Sequence, residues 1–373
     1  MTEKKYYIIA GEASGDLHGS NLINAIISKQ PKSQIRFWGG DEMQKVAGKP
    51  VKHIDQLAFM GFIEVLLNIR TILNNIKFCK NDIEAFNPDA IILIDYPGFN
   101  MRIAKWAKSK GIKVIYYISP QIWAWKQSRV HQLKKTVDLM LVILPFEKDF
   151  YAKFGMEVEF VGHPLIDAIE NFQNRYNAEE FKDKYNIDER PILALLPGSR
   201  KQEISKKLPV MLKAAREFNN YHIVLAAAPS QDVSFYESFL KSKKNITVVK
   251  DGTYELLSIA DLAMVTSGTA TLETALFKVP QVVCYKGSYI SYKIAKLLIK
   301  VKYISLVNLI LDEEVVKELI QEEFTTKNLV KELKRIEKGE SKNKLLEKYD
   351  ILQKNLGDGG ASQKAAQEII DHI

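Results

Sequence analysis

The chain alternates short apolar runs with longer stretches in which apolar positions recur at helical spacing, and the rhythm runs twice. Tyr6–Ala10, Arg36–Trp38, Ala90–Ile94, Lys113–Ile118, Leu139–Leu144 and Val158–Val161 read as strands in the first half. Ile192–Leu196, Ile223–Ala227, Ile246–Val249, Leu262–Val265 and Gln281–Cys284 read as strands in the second. Compact apolar runs of this kind, separated by helical patterns, predict parallel strands covered on both faces in an α/β fold. A polar, charged stretch from Asn171 to Arg190 places a domain junction between His163 and about Arg190. After Asp312 the pattern is helical to the end, with Gly357 to Gly360 breaking the last helices. The expected division is residues 1–166, residues 167–345 and a helical tail, residues 346–373.

Several strand ends carry chemistry. Tyr6–Ala10 runs into Gly11-Glu12-Ala13-Ser14-Gly15-Asp16, with a helix expected from about Leu17 to Ser28 and His18 near its start. The spacing is not that of a dinucleotide fingerprint. Asp16 suits a helix N-cap; Glu12 has no comparable structural explanation. Ala90–Ile94 delivers Asp95 to its C-terminal end, where parallel sheets face their ligands, so Asp95 is placed as a general base or as a stabiliser of the Tyr96-Pro97-Gly98 turn. Trp123 and Trp125 stand two apart in a loop, as core plugs or as the wall of a sugar or acyl pocket.

Between residues 62 and 86 the helical pattern holds more apolar positions, Phe62, Leu66 and Ile69 among them, than one buried stripe needs, and Arg70, Lys77 and Lys80 are interleaved. A core helix accounts for most of it; an interfacial helix or an acyl pocket accounts for the excess. Tyr289 to Tyr303 is a second basic amphipathic stretch, with Lys293, Lys296, Lys300 and Lys302 among Ile and Leu. It fits a solvated helix face or contact with an anionic membrane.

The second half offers an anion site. Leu262–Val265 is followed by Ser267-Gly268-Thr269 and a helix from Ala270 to Phe277. Unpaired N–H groups and the positive dipole end at a helix start favour phosphate, Gly268 permits close approach, and Ser267 and Thr269 add hydroxyls. Glu273 lies one turn on, on the same face, where a carboxylate can accept from two ribose hydroxyls. Plain capping of a solvated helix is the competing account. Ile192–Leu196 leads into Pro197-Gly198-Ser199-Arg200, and the planar fork of Arg200 can grip a pyrophosphate in a cleft between the halves. Asn308 is an uncharged hydrogen-bonding group within an apolar run.

Composition narrows the classes. With 373 residues, 46% hydrophobic and 26% charged, the chain describes a globular protein of two domains or one large one. Two cysteines without metal-ligand spacing fit a reduced cytoplasm. No apolar run reaches the roughly 20 residues that span a bilayer, and the N-terminus meets a carboxylate too soon for a signal peptide. The net charge of +8 favours acidic partners. Nucleic acid is the weakest of these, since no zinc-finger, RNP-like or helix-turn-helix pattern is present.

The motifs together resemble one family, lipid-A-disaccharide synthase. The matching stretches are Ala10–Asp16, Met60–Leu66, Ile94–Asn100, Ser119–Trp125, Leu144–Glu147, Val161–Pro164, Leu196–Arg200, Ser267–Glu273 and Tyr303–Leu309, in family order from about residue 6 to residue 323. The resemblance implies a GT-B fold, two Rossmann-like domains facing across a cleft, with acceptor and lipid held by the first and UDP-sugar by the second. It implies transfer of 2,3-diacylglucosamine from UDP to the 6-hydroxyl of 2,3-diacylglucosamine 1-phosphate, inverting, with no metal and no cofactor. Asp95 matches the catalytic aspartate. Glu12 matches a second functional acid, for orienting the acceptor or sharing the base role. Arg200 and Ser199, with Ser267, Gly268 and Thr269, would bind and neutralise departing UDP, Glu273 would hold ribose, and Asn308 matches a residue near the nucleotide. Asp16, His18, Phe62, Leu66, Ile69, Trp123 and Trp125 are the expected acceptor or acyl contacts. Where many relatives carry an acid, this chain has Gly98, so Asp95 is the sole carboxylate of its loop.

Lipid-tailed substrates imply a cytoplasmic enzyme peripherally associated with the inner membrane, an anionic surface as partner, and leave homo-oligomerisation open. The rival readings are a UDP-sugar 2-epimerase, an undecaprenyl-linked N-acetylglucosaminyltransferase and a non-catalytic lipid binder on the same fold.

Overall fold

The computed structural model describes residues 3–57, 69–240, 246–288, 292 and 301–373. The chain forms two compact units, Met1–Pro164 with Leu356–Ile373, and Leu165–Asn355.

The first unit is built on a seven-stranded parallel sheet in the order β3-β2-β1-β4-β5-β6-β7. Its strands are β1 Lys5–Ala10, β2 Gln34–Gly39, β3 Lys52–His53, β4 Ala90–Ile94, β5 Lys113–Tyr117, β6 Leu139–Val142 and β7 Glu159–Phe160. The central strands β1 and β4 are almost wholly buried, which is why they read as unbroken apolar runs. Helices α1 (Ala13–Lys29), α2 (Asp41–Ala47), α3 (Ile69–Phe86) and α4 (Pro97–Ser109) belong to this unit. The described part of the long pattern between residues 62 and 86 is α3. Phe62 and Leu66 lie outside the described residues, as do Ile69's side chain and the stretch Tyr289 to Lys300 apart from Tyr292.

The second unit carries a six-stranded parallel sheet in the order β10-β9-β8-β11-β12-β13. The strands are β8 Ile192–Leu196, β9 His222–Ala227, β10 Ile246–Lys250, β11 Leu262–Thr266, β12 Gln281–Tyr285 and β13 Glu318–Ile320. Leu196, Val224, Val265 and Leu257 meet in its core. Helices α5 (Lys201–Ala215) and α6 (Thr269–Leu276) follow β8 and β11.

The C-terminal tail is helical as expected, and its helices divide between the two units. Helix α7 (Glu340–Asn355) stays with the second unit, where Tyr349 is fully buried and its hydroxyl accepts from Gln281 Nε2 at 3.3 Å. Helix α8 (Ala361–His372) packs against α1 in the first unit, burying Ala365, Ala366 and Ile369. The amide of His163 donates to the carbonyl of Leu356 at 2.9 Å, so the chain's last segment is tied to the end of the first sheet.

Candidate active site

Each sheet reverses its strand order once at its centre, between β1 and β4 in the first unit and between β8 and β11 in the second. At such a switch point the loops leaving two neighbouring strands diverge and open a crevice at their C-terminal ends. Glu12, Asp95, Arg200 and the Ser267-Gly268 turn lie on those four loops.

In the first unit Ala10 and Ile94 are register partners, so the Gly11-Glu12 and Asp95-Tyr96 loops leave the sheet side by side. Asp95 and Tyr96 have φ of 43° and 46°, two successive non-glycine residues in the left-handed region. Such a conformation costs free energy and persists only where neighbours enforce it. Here the carbonyl of Asp95 accepts from Tyr116 Oη at 2.6 Å and from Asn100 Nδ2 at 2.9 Å. Asn100 is fully buried and also donates to the carbonyl of Ile94 at 3.2 Å. Neither Asn100 nor Tyr116 is singled out by sequence reasoning, although Asn100 closes the Ile94–Asn100 motif.

The turn points the Asp95 carboxyl into a partly buried position, and its pKa rises to about 6. Burial is the larger cause and the charge of Glu12 the next, opposed by a backbone N–H bond from Tyr96. Glu12 is exposed; it occupies the N-cap position of α1 yet makes no capping bond with its side chain. Gly98 is exposed, and a Cβ there would meet nothing within 4 Å.

The other expected contacts of this unit separate into two groups. Asp16 is buried, and its carboxylate accepts from the amides of Gly40 at 2.6 Å, Glu42 at 2.9 Å and Met43 at 3.1 Å. It caps α2 rather than its own helix, which starts at Ala13 rather than near Leu17. His18 is likewise buried, and burial pulls its imidazole down to about 4, so it is a neutral core side chain. Trp123 is a core plug whose Nε1 donates to buried Glu147 at 3.2 Å. Trp125 is 43% exposed, with Lys126 Nζ 4.4 Å and Arg129 Cζ 5.5 Å from its ring centroid.

In the second unit Leu196 and Val265 are register partners, which brings Pro197–Arg200 beside Ser267-Gly268. Gly198 and Gly268 have φ of 113° and 146°, which side-chain-bearing residues rarely adopt. A cavity of about 300 Å³ opens here, lined by Gly198, Ser199, Ser267, Gly268, Thr269 and Glu273 among others. The start of α6 points its first-turn amides at this end. The hydroxyl of Ser267 donates to the carbonyl of Ile304 at 2.8 Å, leaving it an acceptor rather than a donor towards a ligand. Burial pushes Glu273 up to about 7, and the bond from Tyr254 Oη at 3.4 Å opposes that rise. Arg200, next in sequence to the cavity-lining Ser199, is exposed, with Nη1 3.5 Å from Glu203 Oε1. The strand-end residues Ala226–Pro229 and Thr253 complete the walls, positions sequence reasoning passed over.

Asn308 does not face this cavity. It is fully buried, its Nδ2 donates to the Val316 carbonyl and Glu318 Oε1, and its Oδ1 accepts from the amides of Val315 and Val316. With its amide group fully used, Asn308 shapes the segment from Ile304 to Glu318.

Two Rossmann-like units, each with its functional loops at the switch point of a parallel sheet, define the GT-B class of sugar-nucleotide enzymes. Solved structures agree in fold: UDP-GlcNAc 2-epimerase from Neisseria meningitidis bound to UDP-GlcNAc has a TM-score of 0.70 at 12% identity, covering 98% of this chain and all of that one. The glycotransferase of kitacinnamycin has a TM-score of 0.69 at 12% identity over 100% of both chains. The sequence decides within the class. The family model of lipid-A-disaccharide synthetase matches residues 6–370. The chain is 39% identical over 376 residues to lipid-A-disaccharide synthase of Syntrophus aciditrophicus, covering 98% of this chain and 97% of the relative. It is 37% identical over 377 residues to that of Trichlorobacter lovleyi, covering 99% and 98%. The chain belongs to the lipid-A-disaccharide synthase family, glycosyltransferases of lipid A biosynthesis. No described helix is long and apolar enough to cross a membrane.

Proposed function

We propose that the enzyme transfers 2,3-diacylglucosamine from its UDP carrier to the 6-hydroxyl of 2,3-diacylglucosamine 1-phosphate in one inverting displacement. The Asp95 carboxylate takes the hydroxyl proton as the oxygen attacks the anomeric carbon. The carbon–oxygen bond to UDP breaks and UDP departs with the electron pair. The observation that carries this reading is the strained, enforced turn holding an aspartate whose pKa stands at about 6. A base so tuned is ionised at neutral pH and is a stronger proton acceptor than an ordinary aspartate. Glu12, beside it, orients the acceptor and keeps the Asp95 pKa up.

The second unit holds the leaving group. The α6 start, Thr269, the Gly198-Ser199 backbone and Arg200 take the pyrophosphate, and Glu273 takes ribose hydroxyls. Preorganised donors of this kind stabilise the charge that grows on UDP, often the largest single contribution to catalysis. No metal enters the reaction. Trp125, 43% exposed with Lys126 and Arg129 over its ring, gives an acylated sugar phosphate an aromatic side chain and two cations.

Substrates with acyl tails reside in a membrane, and the enzyme meets them at the cytoplasmic surface as a peripheral protein. Supporting this, α3 exposes the apolar Leu73 (54%) and Phe78 (49%) and, on the same helix, the cations Arg70 and Lys77. The test is product analysis with both diacylated substrates. A β-1,6-linked disaccharide 1-phosphate and UDP in equal amounts are expected; epimerised or merely hydrolysed UDP-sugar would reject the reading in favour of the epimerase chemistry of its structural neighbours.

A further inference from the structure

Glu203 occupies the first turn of α5, where a carboxylate suits the positive end of the helix dipole. The same carboxylate lines the 300 Å³ cavity, and an anion on the wall of a phosphate site repels its ligand. One turn further along α5, Lys207 is 2% exposed. Its ammonium donates to Thr266 Oγ1 and stands 3.6 Å from Glu203 Oε2. Thr266 ends β11 and immediately precedes Ser267-Gly268. A Cβ on Gly198 would come 3.0 Å from Glu203 Oε2 and 3.4 Å from Lys207 Nζ, so both charges lie directly against the Pro197–Arg200 loop. Enclosing an ammonium costs several kcal/mol that an apolar side chain would not incur. Burial accordingly lowers the Lys207 pKa, and Glu203 opposes that fall.

We propose that Lys207 is a buried counter-charge of the nucleotide site, neutralising Glu203 so that this carboxylate can hold the α5 start and Arg200 without repelling a nucleoside diphosphate. The proposal rests on the nucleotide reading of the cavity given above. Lys207 touches no ligand; it is a positioning residue, acting through Glu203 and Thr266.

Calorimetric titration of the full chain with UDP and with uridine tests it, because only UDP carries the charge that Glu203 would repel. Lys207→Met is expected to weaken UDP about tenfold and to leave uridine within about twofold. Adding Glu203→Gln to that variant is expected to return UDP affinity to near the wild-type value. Unchanged UDP affinity in Lys207→Met overturns the proposal. Equal weakening of UDP and uridine also overturns it, since a packing defect would act on both. Should Lys207→Met fail to fold, Glu203→Gln alone decides: it should tighten UDP selectively, and weaker or unchanged UDP binding overturns the proposal. A wild-type chain that binds no UDP contradicts the nucleotide reading itself, and the counter-charge falls with it.

Discussion

The ring of Tyr96 lies where a side chain on residue 11 would have to stand. A Cβ built on Gly11 comes 2.3 Å from Tyr96 Cγ and 2.4 Å from Cδ1, far inside van der Waals contact. Gly11 precedes Glu12, and Tyr96 follows Asp95, so this one close approach couples the two acidic loops. Gly11→Ala must push the ring away and disturb the left-handed turn that presents Asp95. Transfer is expected to fall by about a hundredfold, since misplacing a catalytic group by about 1 Å costs that much. UDP binding, a property of the other unit, should not change. Steady-state kinetics with a parallel UDP titration check both halves.

The pH profile follows from Asp95. A base must be deprotonated, and the Asp95 pKa of about 6 places the acidic limb of kcat/KM there, with activity rising through pH 6 and flattening above it. Glu12's negative charge disfavours ionisation of Asp95. Removing it in Glu12→Gln therefore lowers the Asp95 pKa and shifts the limb to lower pH. An unmoved limb would separate the two carboxyls.

Ribose binding has its own pH signature. Burial holds Glu273 at about 7, and its ionised form accepts through both oxygens, whereas protonation turns one of them into a donor. Uridine affinity should rise as pH climbs from 6 to 8, because protonation at lower pH competes with the ligand. Glu273→Gln should flatten that dependence. Titrations across this range provide the check.

Asp16 separates stability from catalysis. Asp16→Asn leaves one oxygen and one amide facing the three N–H groups of Gly40, Glu42 and Met43. A loss of about 2 kcal/mol in stability to urea is expected, from the cap and a buried unsatisfied donor. The kcat of the folded fraction should stay near wild type. A native stability with a selective loss of acceptor binding would return Asp16 to the substrate.

Most of the strand pattern was legible because both sheets are buried on two faces and the central strands must be apolar throughout. Leu262–Thr266 and Ile192–Leu196 appear in the structure within a residue of where their runs predict them. The loops at their ends were legible too, because Gly268 and Gly198 mark backbone that other residues avoid. What escaped depends on partners distant in sequence. Asp16 reads as a cap for its own helix, yet the amides it meets begin 24 residues later. Trp123 and Trp125 look alike in a sequence, and only the position of Glu147 makes one a core side chain. Nothing in the composition of Asp95-Tyr96 announces left-handed backbone, which is imposed by Asn100 and by Tyr116 from the neighbouring strand β5. Asn308 suits a polar ligand until Glu318 and the Val315 and Val316 amides are seen to use all of it.

The central claim is that Asp95 is the base. The most direct measurement is the turnover of Asp95→Asn with both substrates, alongside its UDP affinity. Asparagine keeps the side chain's size and cannot take the proton, and general-base catalysis contributes about 10²–10⁴-fold. Transfer reduced by that factor with unaltered UDP binding is the predicted result. Turnover within a few-fold of wild type would contradict the account.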